Sequence, residues 1–413
     1  MRPTVIIPTF WTRRGSRGSD RQRFFYDHPT PIDEDGTLPE CLRSLEGVTG
    51  LDRVVLIVAA TDESVAHQAE DRVQEILADF PGIDSFVFGT AEMGSLHRRM
   101  EQLEFADAIR GVSLSGYGGV RNVGLILAAV LGSEAIVFVD DDQVITDPEF
   151  LVRGMEGLGE QTGQGRLILA KSGYYTDANG SRSIKEVSPW FDTFWRQAEL
   201  YNRAIAASDT PPRVKPGTIA FGGCFALHKD MYCNVPFDPW AMRGEDVDYV
   251  INARMHGGDV FLDSDWSVIH QPPQVRSEAA VFRQDVFRFV YTHRKLEFSK
   301  SQVDLRQVSA ESLMPYPGHL VDSSINWRAR ATALLRALGT DERSAYLRIA
   351  SEAVPAAQGY ARENCEHYFA FQRRWPMLLD RLWEDIALKS LFSGERTVDR
   401  SAITGRFPVI RTD

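Results

Sequence analysis

Residues 116–143 read GYGGVRNVGLILAAVLGSEAIVFVDDDQ. The glycines from Gly116 to Gly119 predict a tight turn, the apolar stretch 120–131 a helix, and 135–139 a buried strand. That strand ends in Asp140-Asp141-Asp142. Ligands of open α/β sheets sit at the carboxyl ends of strands. Three adjacent carboxylates there are not core residues, so they face solvent, a metal or a ligand.

The same alternation continues on either side. Val5-Ile6-Ile7 predicts a short strand stopped by Pro8, and 53–60 and 85–88 predict two more. Apolar spacing predicts helices over 38–45 and 64–77. IAFGGCFAL, residues 219–227, reads as a strand broken at Gly222-Gly223. Residues 244–248, GEDVD, open a helix running to about 255, which Gly257-Gly258 closes. Short strands follow at 260–262 and 268–269, the second ending at His270, before Pro272-Pro273. Beyond that, helices are expected over 281–290, 327–338 and 376–391, and the chain from about Ser393 reads as weakly structured. The expectation is an α/β unit with a mostly parallel sheet over residues 1–274, followed by an α-helical domain over 275–413.

Composition agrees with a folded chain of two or three domains. The 413 residues are 43% hydrophobic and 25% charged, which excludes disorder, collagen-like repeats and disulfide-stapled mini-proteins. A net charge of −11 argues against nucleic acid as the main partner. The charge is uneven: residues 275–413 carry 21 basic and 17 acidic side chains, a balance of +4, leaving −15 for residues 1–274. An acidic first part fits either metal-binding carboxylates or a solvated surface. Cys41, Cys224, Cys233 and Cys365 form no CxxC pair, so neither a zinc site nor a redox motif is expected, and free thiols suit a reducing compartment. No apolar run approaches the roughly 18 residues of a membrane span. A cytoplasmic protein, soluble or peripheral to a membrane, is expected.

The acidic triplet admits several chemistries. A Walker B strand needs a GxxxxGK[ST] partner, and the chain contains no Gly-Lys. A calcium loop needs alternate ligands and a glycine at its sixth position, where this chain has Ile145. A solvated acidic turn is the plain reading. The remaining one is a DxD site, where carboxylate oxygens hold Mg²⁺ or Mn²⁺ against a nucleotide diphosphate.

Five segments in order then resemble a family: VIIPTF, VRNVGLILA, FVDDDQ, RGEDVDYVINARMHGG and VIHQPP. Together, over about residues 4–273, they resemble the nucleotide-sugar glycosyltransferases of GT-A fold (Rossmann-like), closest to glycosyltransferase family 2. The resemblance implies a hexosyltransferase with a divalent metal, Mn²⁺ or Mg²⁺, and a nucleotide-diphosphate-sugar donor. It implies transfer to a carbohydrate, small-molecule or lipid-linked acceptor, with inversion. A retaining enzyme making a small glycoside, a sugar-nucleotide pyrophosphorylase and a non-catalytic nucleotide-sugar or glycan-binding protein are the alternatives.

Carried onto this chain, the resemblance places Pro8 and Thr9 near the base. Asp62 is a displaced candidate for the acidic base contact. Arg121 and Asn122, following glycines at a helix start, suit either diphosphate or nucleotide binding or simply a capped helix with a solvated arginine, while the resemblance puts Asp140 and Asp141 at the nucleotide and Asp140, Asp142 and His270 at the metal. It makes Asp246 the general base, with Glu245 supporting it or replacing it, because an attacking hydroxyl must lose its proton. Acids at a helix N-terminus are also favoured by the macrodipole alone. Gly222, Gly223 and Trp240 fall on the acceptor side, and Trp190 and Trp195 are further sugar-stacking candidates. The five arginines from Arg13 to Arg23 suit an anionic acceptor group, an anionic membrane surface, or a solvated loop.

Overall fold

The computed structural model describes residues 1–14, 29–184, 189–271 and 277–392. Arg17, Arg21, Arg23, Pro272-Pro273 and the tail from Ser393 lie outside the described residues.

Among the described residues, ten strands form one sheet: β1 (Thr4–Thr12), β2 (Thr30–Pro31), β3 (Arg53–Ala60), β4 (Ser85–Phe88), β5 (Ala135–Phe138), β6 (Gln143–Val144), β7 (Ala170–Thr176), β8 (Val214–Pro216), β9 (Phe225–His228) and β10 (Val260–His270). Their order is β4-β3-β1-β5-β9-β7-β10-β6, with β2 beside β1 and β8 beside β10. β4, β3, β1 and β5 run parallel, β9 enters antiparallel, and β7 and β10 pair in parallel. The α/β class and mostly parallel sheet expected from the sequence are present. The chain first builds outward from β1 to β4, then returns to the other side of β1 with β5. That reversal creates a crevice at the carboxyl ends of β1 and β5, the usual ligand position in such sheets.

β1 is longer than expected. Pro8 does not stop it, and β1 pairs with β3 from Thr4 to Trp11. Ile6 accepts from Val139 N–H on the β5 side, and Thr12 accepts from Ile32 N–H on that same side. In a parallel strand alternate residues point to the same neighbour, so Pro8 faces the gap where β5 has ended and β2 has not begun. Its missing N–H therefore breaks no ladder bond.

Both sheet faces are buried. Val5, Ile7, Val54, Leu56 and Val137 pack into one core, whereas Ile6, Val55, Ile57, Ile136 and Phe138 pack into the other. This explains apolar runs in place of strict alternation. The expected strand over 219–227 is only β9, and the two short strands near 260 and 268 are one strand, β10, irregular between Leu262 and Ser267.

The helical C-terminal region comprises mainly the helices Glu278–Ser299, Ile325–Gly339, Val354–Leu382 and Ile386–Phe392. Among the described residues, its apolar side chains join the sheet's two cores. Phe282, Val286 and Ala333 join the first core, and Trp375, Leu378, Leu382 and Phe392 join the second. Pro376 sits inside the helix Val354–Leu382 instead of starting one. Burial of Trp375, Leu378 and Leu379 on one stripe outweighs the roughly 3 kcal/mol interior cost of a proline. No helix among the described residues is long and apolar enough to cross a membrane.

Candidate active site

The crevice collects the acidic motifs. Asp140, Asp141 and Asp142 follow β5 and are all half-buried. The turn after them enters β6, which pairs antiparallel with the end of β10, setting His270 opposite Gln143. Gln271 N–H donates to Asp142 O at 3.1 Å. This ladder brings His270 Nε2 to 3.0 Å from Asp142 Oδ2, while Gln143 Nε2 donates to Asp142 Oδ1 at 2.9 Å. The Asp142–His270 pair expected on the metal side is thus assembled by strand register.

Asp140 is differently engaged. Its Oδ1 accepts from Arg121 Nη2 at 2.7 Å and its Oδ2 from Tyr175 Oη at 3.0 Å. Both oxygens are occupied by protein donors, so Asp140 does not join Asp142 and His270 in a ready-made cage. Among the described residues no group of three or more His, Cys, Asp or Glu side chains is arranged to hold a metal ion. Asp141 accepts from the Thr9 hydroxyl at 2.6 Å. Burial, then the charges of Asp142 and Asp140, push its carboxyl up to about 8.

Glu245 and Asp246 start the helix Glu245–Met255. Glu245 is buried and lies 3.5 Å from Arg121 Nε, so one guanidinium joins Asp140 to Glu245. Burial opposes the charge of Arg121, but the two carboxylates overcome it and keep it cationic. Burial and the adjacent Asp246 raise Glu245 to about 7. Asp246 is half-buried and receives Val247 N–H at 2.7 Å and Gly222 N–H at 3.3 Å. Burial raises its carboxyl, against the pull of Arg288 and Arg121. Of the two acids Asp246 is the more accessible and, among the described residues, carries no direct ion pair, which suits it better than Glu245 for proton transfer.

Several expected ligand contacts turn out to be internal. Thr9 is fully buried, and its hydroxyl accepts from Trp11 Nε1 at 2.9 Å while donating to Asp141. It therefore positions Asp141. Pro8 is a buried strand residue. Asn122 is fully buried, donates to the carbonyls of Gly111 and Phe237, and accepts from Phe237 N–H, so it latches two loops. Arg121 likewise serves as an internal strut, although its Nη1 is buried without a hydrogen-bond partner.

Gly222 and Gly223 precede β9, and their closeness is to the protein itself. A Cβ at Gly222 would stand 2.6 Å from Arg121 Nη2, and one at Gly223 2.7 Å from Asp140 Oδ2. Trp240 is half-buried and packs on His367 and Phe371 of the helix Val354–Leu382, with ring centroids 5.5 and 6.1 Å away. Trp195 is buried against Phe282 and Phe289, so it is not a sugar platform, whereas Trp190 is exposed. Asp62 lies just beyond the end of β3. It caps the following turn through Ser64 N–H and pairs with Arg13 at 2.7 Å. The hydrogen bonds of Ser64 and Arg13 lower its carboxyl to about 2.

Tyr175 and Arg288 were missed by sequence reasoning. Tyr175 sits on β7, accepts from Gly223 N–H at 2.6 Å, and stacks 4.6 Å from the His270 ring. It ties Asp140, Gly223 and His270 together. In sequence its signal is the AKSGYYT strand, which lies between the motifs and has none of its own.

No protein-family model matches the chain, and no curated protein matches it. Among solved structures, a mannosyltransferase from Pyrobaculum calidifontis in complex with GDP-Man and Mn²⁺ is 16% identical with a TM-score of 0.48, covering 95% of this chain and 88% of that one. Glucosyl-3-phosphoglycerate synthase from Mycobacterium tuberculosis, with Mn²⁺, UDP-Glc and phosphoglyceric acid, is 14% identical at a TM-score of 0.36 over 70% of this chain and 78% of that one. GalNAc-T7 with UDP, GalNAc and Mn²⁺ is 12% identical at 0.39 over 79% of this chain and 55% of that one. At such identities and scores these likenesses carry no functional argument, which has to come from the site.

Proposed function

We propose that the protein is a metal-dependent GT-A-type glycosyltransferase that moves a hexosyl group from a nucleotide-diphosphate sugar to an acceptor hydroxyl with inversion. One observation carries the reading. At the crevice between β1 and β5, the Asp142–His270 pair is linked through Tyr175, Asp140 and Arg121 to the Glu245–Asp246 helix start. Ligand-side and base-side acids therefore belong to one connected site.

A divalent cation fits Asp142 and His270, since a carboxylate oxygen and an imidazole nitrogen side by side suit Mn²⁺. Asp140 fits less well, because both its oxygens are already bonded. When bound, the cation supplies Lewis-acid neutralisation of a leaving diphosphate. The chain's own residues do the rest. Asp246 takes the acceptor proton as the acceptor oxygen bonds to the anomeric carbon and the bond to the diphosphate oxygen breaks. Arg288 and Arg121 favour its ionised form. Glu245, held by Arg121, fixes the first helical turn so that Asp246 keeps its direction.

A thermal-shift screen of UDP-, GDP- and dTDP-sugars with and without Mn²⁺ tests the reading, because a ligand of the native state raises the apparent melting temperature. One donor should shift the melt in a Mn²⁺-dependent way, and Asp142→Ala should erase that dependence. Asp246→Asn should keep the shift and lose transfer by about 10²–10⁴-fold. Absence of a shift with every donor, or full turnover by Asp246→Asn, would sink the proposal. A product with the donor's anomeric configuration, read by NMR, would overturn inversion.

A further inference from the structure

We propose that Arg288, with the hydroxyls of Tyr201 and Tyr316, forms a subsite beside Asp246 for an anionic group on the acceptor, a carboxylate or a phosphate. The inference rests on the reading of Asp246 as the acceptor-side base.

Arg288 comes from the helix Glu278–Ser299 of the C-terminal region. Its guanidinium lies against Gly244, the residue directly before Glu245 and Asp246. A Cβ at Gly244 would stand 2.1 Å from Arg288 Cζ and would displace the guanidinium, and Gly244 has φ +69°, a conformation that favours glycine. The guanidinium carbon sits 5.0 Å from the Phe289 ring centroid and 6.0 Å from that of Tyr316. The Tyr201 ring meets Tyr316 edge-on at 5.7 Å. These contacts hold the cation in place through its faces and leave its edge free.

That edge is what matters. The neighbouring Arg243 is paired with Asp285 at 3.5 Å. Among the described residues no hydrogen bond or ion pair engages the Arg288 guanidinium, and none engages the Tyr201 or Tyr316 hydroxyl. Arg288, Tyr201 and Asp246 are all half-buried, so they are neither sealed in the core nor fully hydrated. Burial works against the charge of Arg288, and the acidic groups Asp285 and Asp246 help sustain it. A forked donor with two phenols beside it matches the oxygens of a carboxylate or phosphate. Arg288 also offsets the repulsion such an anion would feel from Asp246. A neutral acceptor would leave these donors unpaired.

Calorimetric titration of the full-length protein with sodium phosphate, and separately with sodium acetate, at constant ionic strength tests this. The wild type should bind at least one anion saturably: phosphate alone indicates a phosphorylated acceptor, and acetate a carboxylate. Arg288→Met should weaken binding by about 10- to 100-fold. Arg288→Lys should lie between, Tyr201→Phe should weaken it modestly, and Asp142→Asn should leave it unchanged. Absence of binding of both anions to the wild type overturns the proposal. So does unchanged binding by a folded Arg288→Met, or, if that variant does not fold, by both Arg288→Lys and Tyr201→Phe. Anion binding that follows Arg288 while Asp246→Asn still transfers sugar would instead remove the base assignment and leave the anion site standing.

Discussion

Replacing Lys295 with Met should cost the fold about 3–5 kcal/mol, because it strands buried carboxylates. The Lys295 ammonium lies 2.7 Å from Asp238 and 2.8 Å from Asp248, and all three side chains are shut away from solvent. It also sits 3.7 Å from the Tyr368 ring centroid. Without it, Asp248 keeps Asn252 at 3.0 Å, and Asp238 keeps the Tyr291 hydroxyl and the Trp240 N–H, each at 2.9 Å, none of which supplies a charge. A chain of this length unfolds with an entropy of about 0.9 kcal/mol/K, so the melting temperature should fall by about 3–6 °C. The loss should also depend on pH. Burial raises Asp248 from 3.8 to about 6 even with Lys295 beside it, and removing the cation raises it further. A carboxyl whose folded value exceeds its unfolded one loses stability as pH rises from the unfolded value through the folded one. The gap between wild type and Lys295→Met should therefore widen from about pH 5.5 to about pH 8. Lys295→Met/Asp248→Asn should recover part of it. Melts followed by circular dichroism at both pH values decide the matter. A gap under about 1 °C at the higher pH, or one that narrows as pH rises, refutes the reasoning.

Three further outcomes are expected. Gly223→Ala would put a Cβ 2.7 Å from Asp140 Oδ2 and 2.9 Å from Asp140 N, so it should cost about 1–3 kcal/mol by melting and reduce transfer. Thr9→Val leaves the buried Trp11 N–H without its acceptor and removes the Asp141 hydrogen bond, which should cost about 1–3 kcal/mol in a denaturant titration. Glu245 is raised from 4.5 to about 7, so its ionisation costs stability as pH rises across that window. The melting temperature of Glu245→Gln relative to wild type should accordingly climb between those pH values, and a flat difference would remove Glu245 as the cause.

The strand-end acids and the GED helix start were legible because each is a local pattern, a strand or helix boundary with charge attached. Which acids share a partner was not. Arg121 reads in sequence as a helix-start cation available to a phosphate, yet the fold folds it inward between Asp140 and Glu245. Asn122 and Thr9 read as polar ligands, but burial turns their hydrogen bonds onto backbone and neighbours. Tyr175 and Arg288 carry no motif, and only the pairing of β7 with β10 and the packing of the helix Glu278–Ser299 bring them to the crevice. Pro8 misled because a proline was read as a strand stop, when its side of β1 has no neighbour to lose.

The packing of the last described helix has a consequence for how the chain is made. Phe392 sits 5.8 Å from Phe86 and 5.5 Å from Phe88, on the strand β4 at one edge of the sheet. Residues synthesised early thus wait for residues synthesised some three hundred positions later before that side is sealed. While the ribosome works through the C-terminal region, the nascent sheet keeps an apolar flank open to solvent. Sealing of that flank is thus a late step in the making of the chain, and apolar surface left open in this way is prone to association until it is covered.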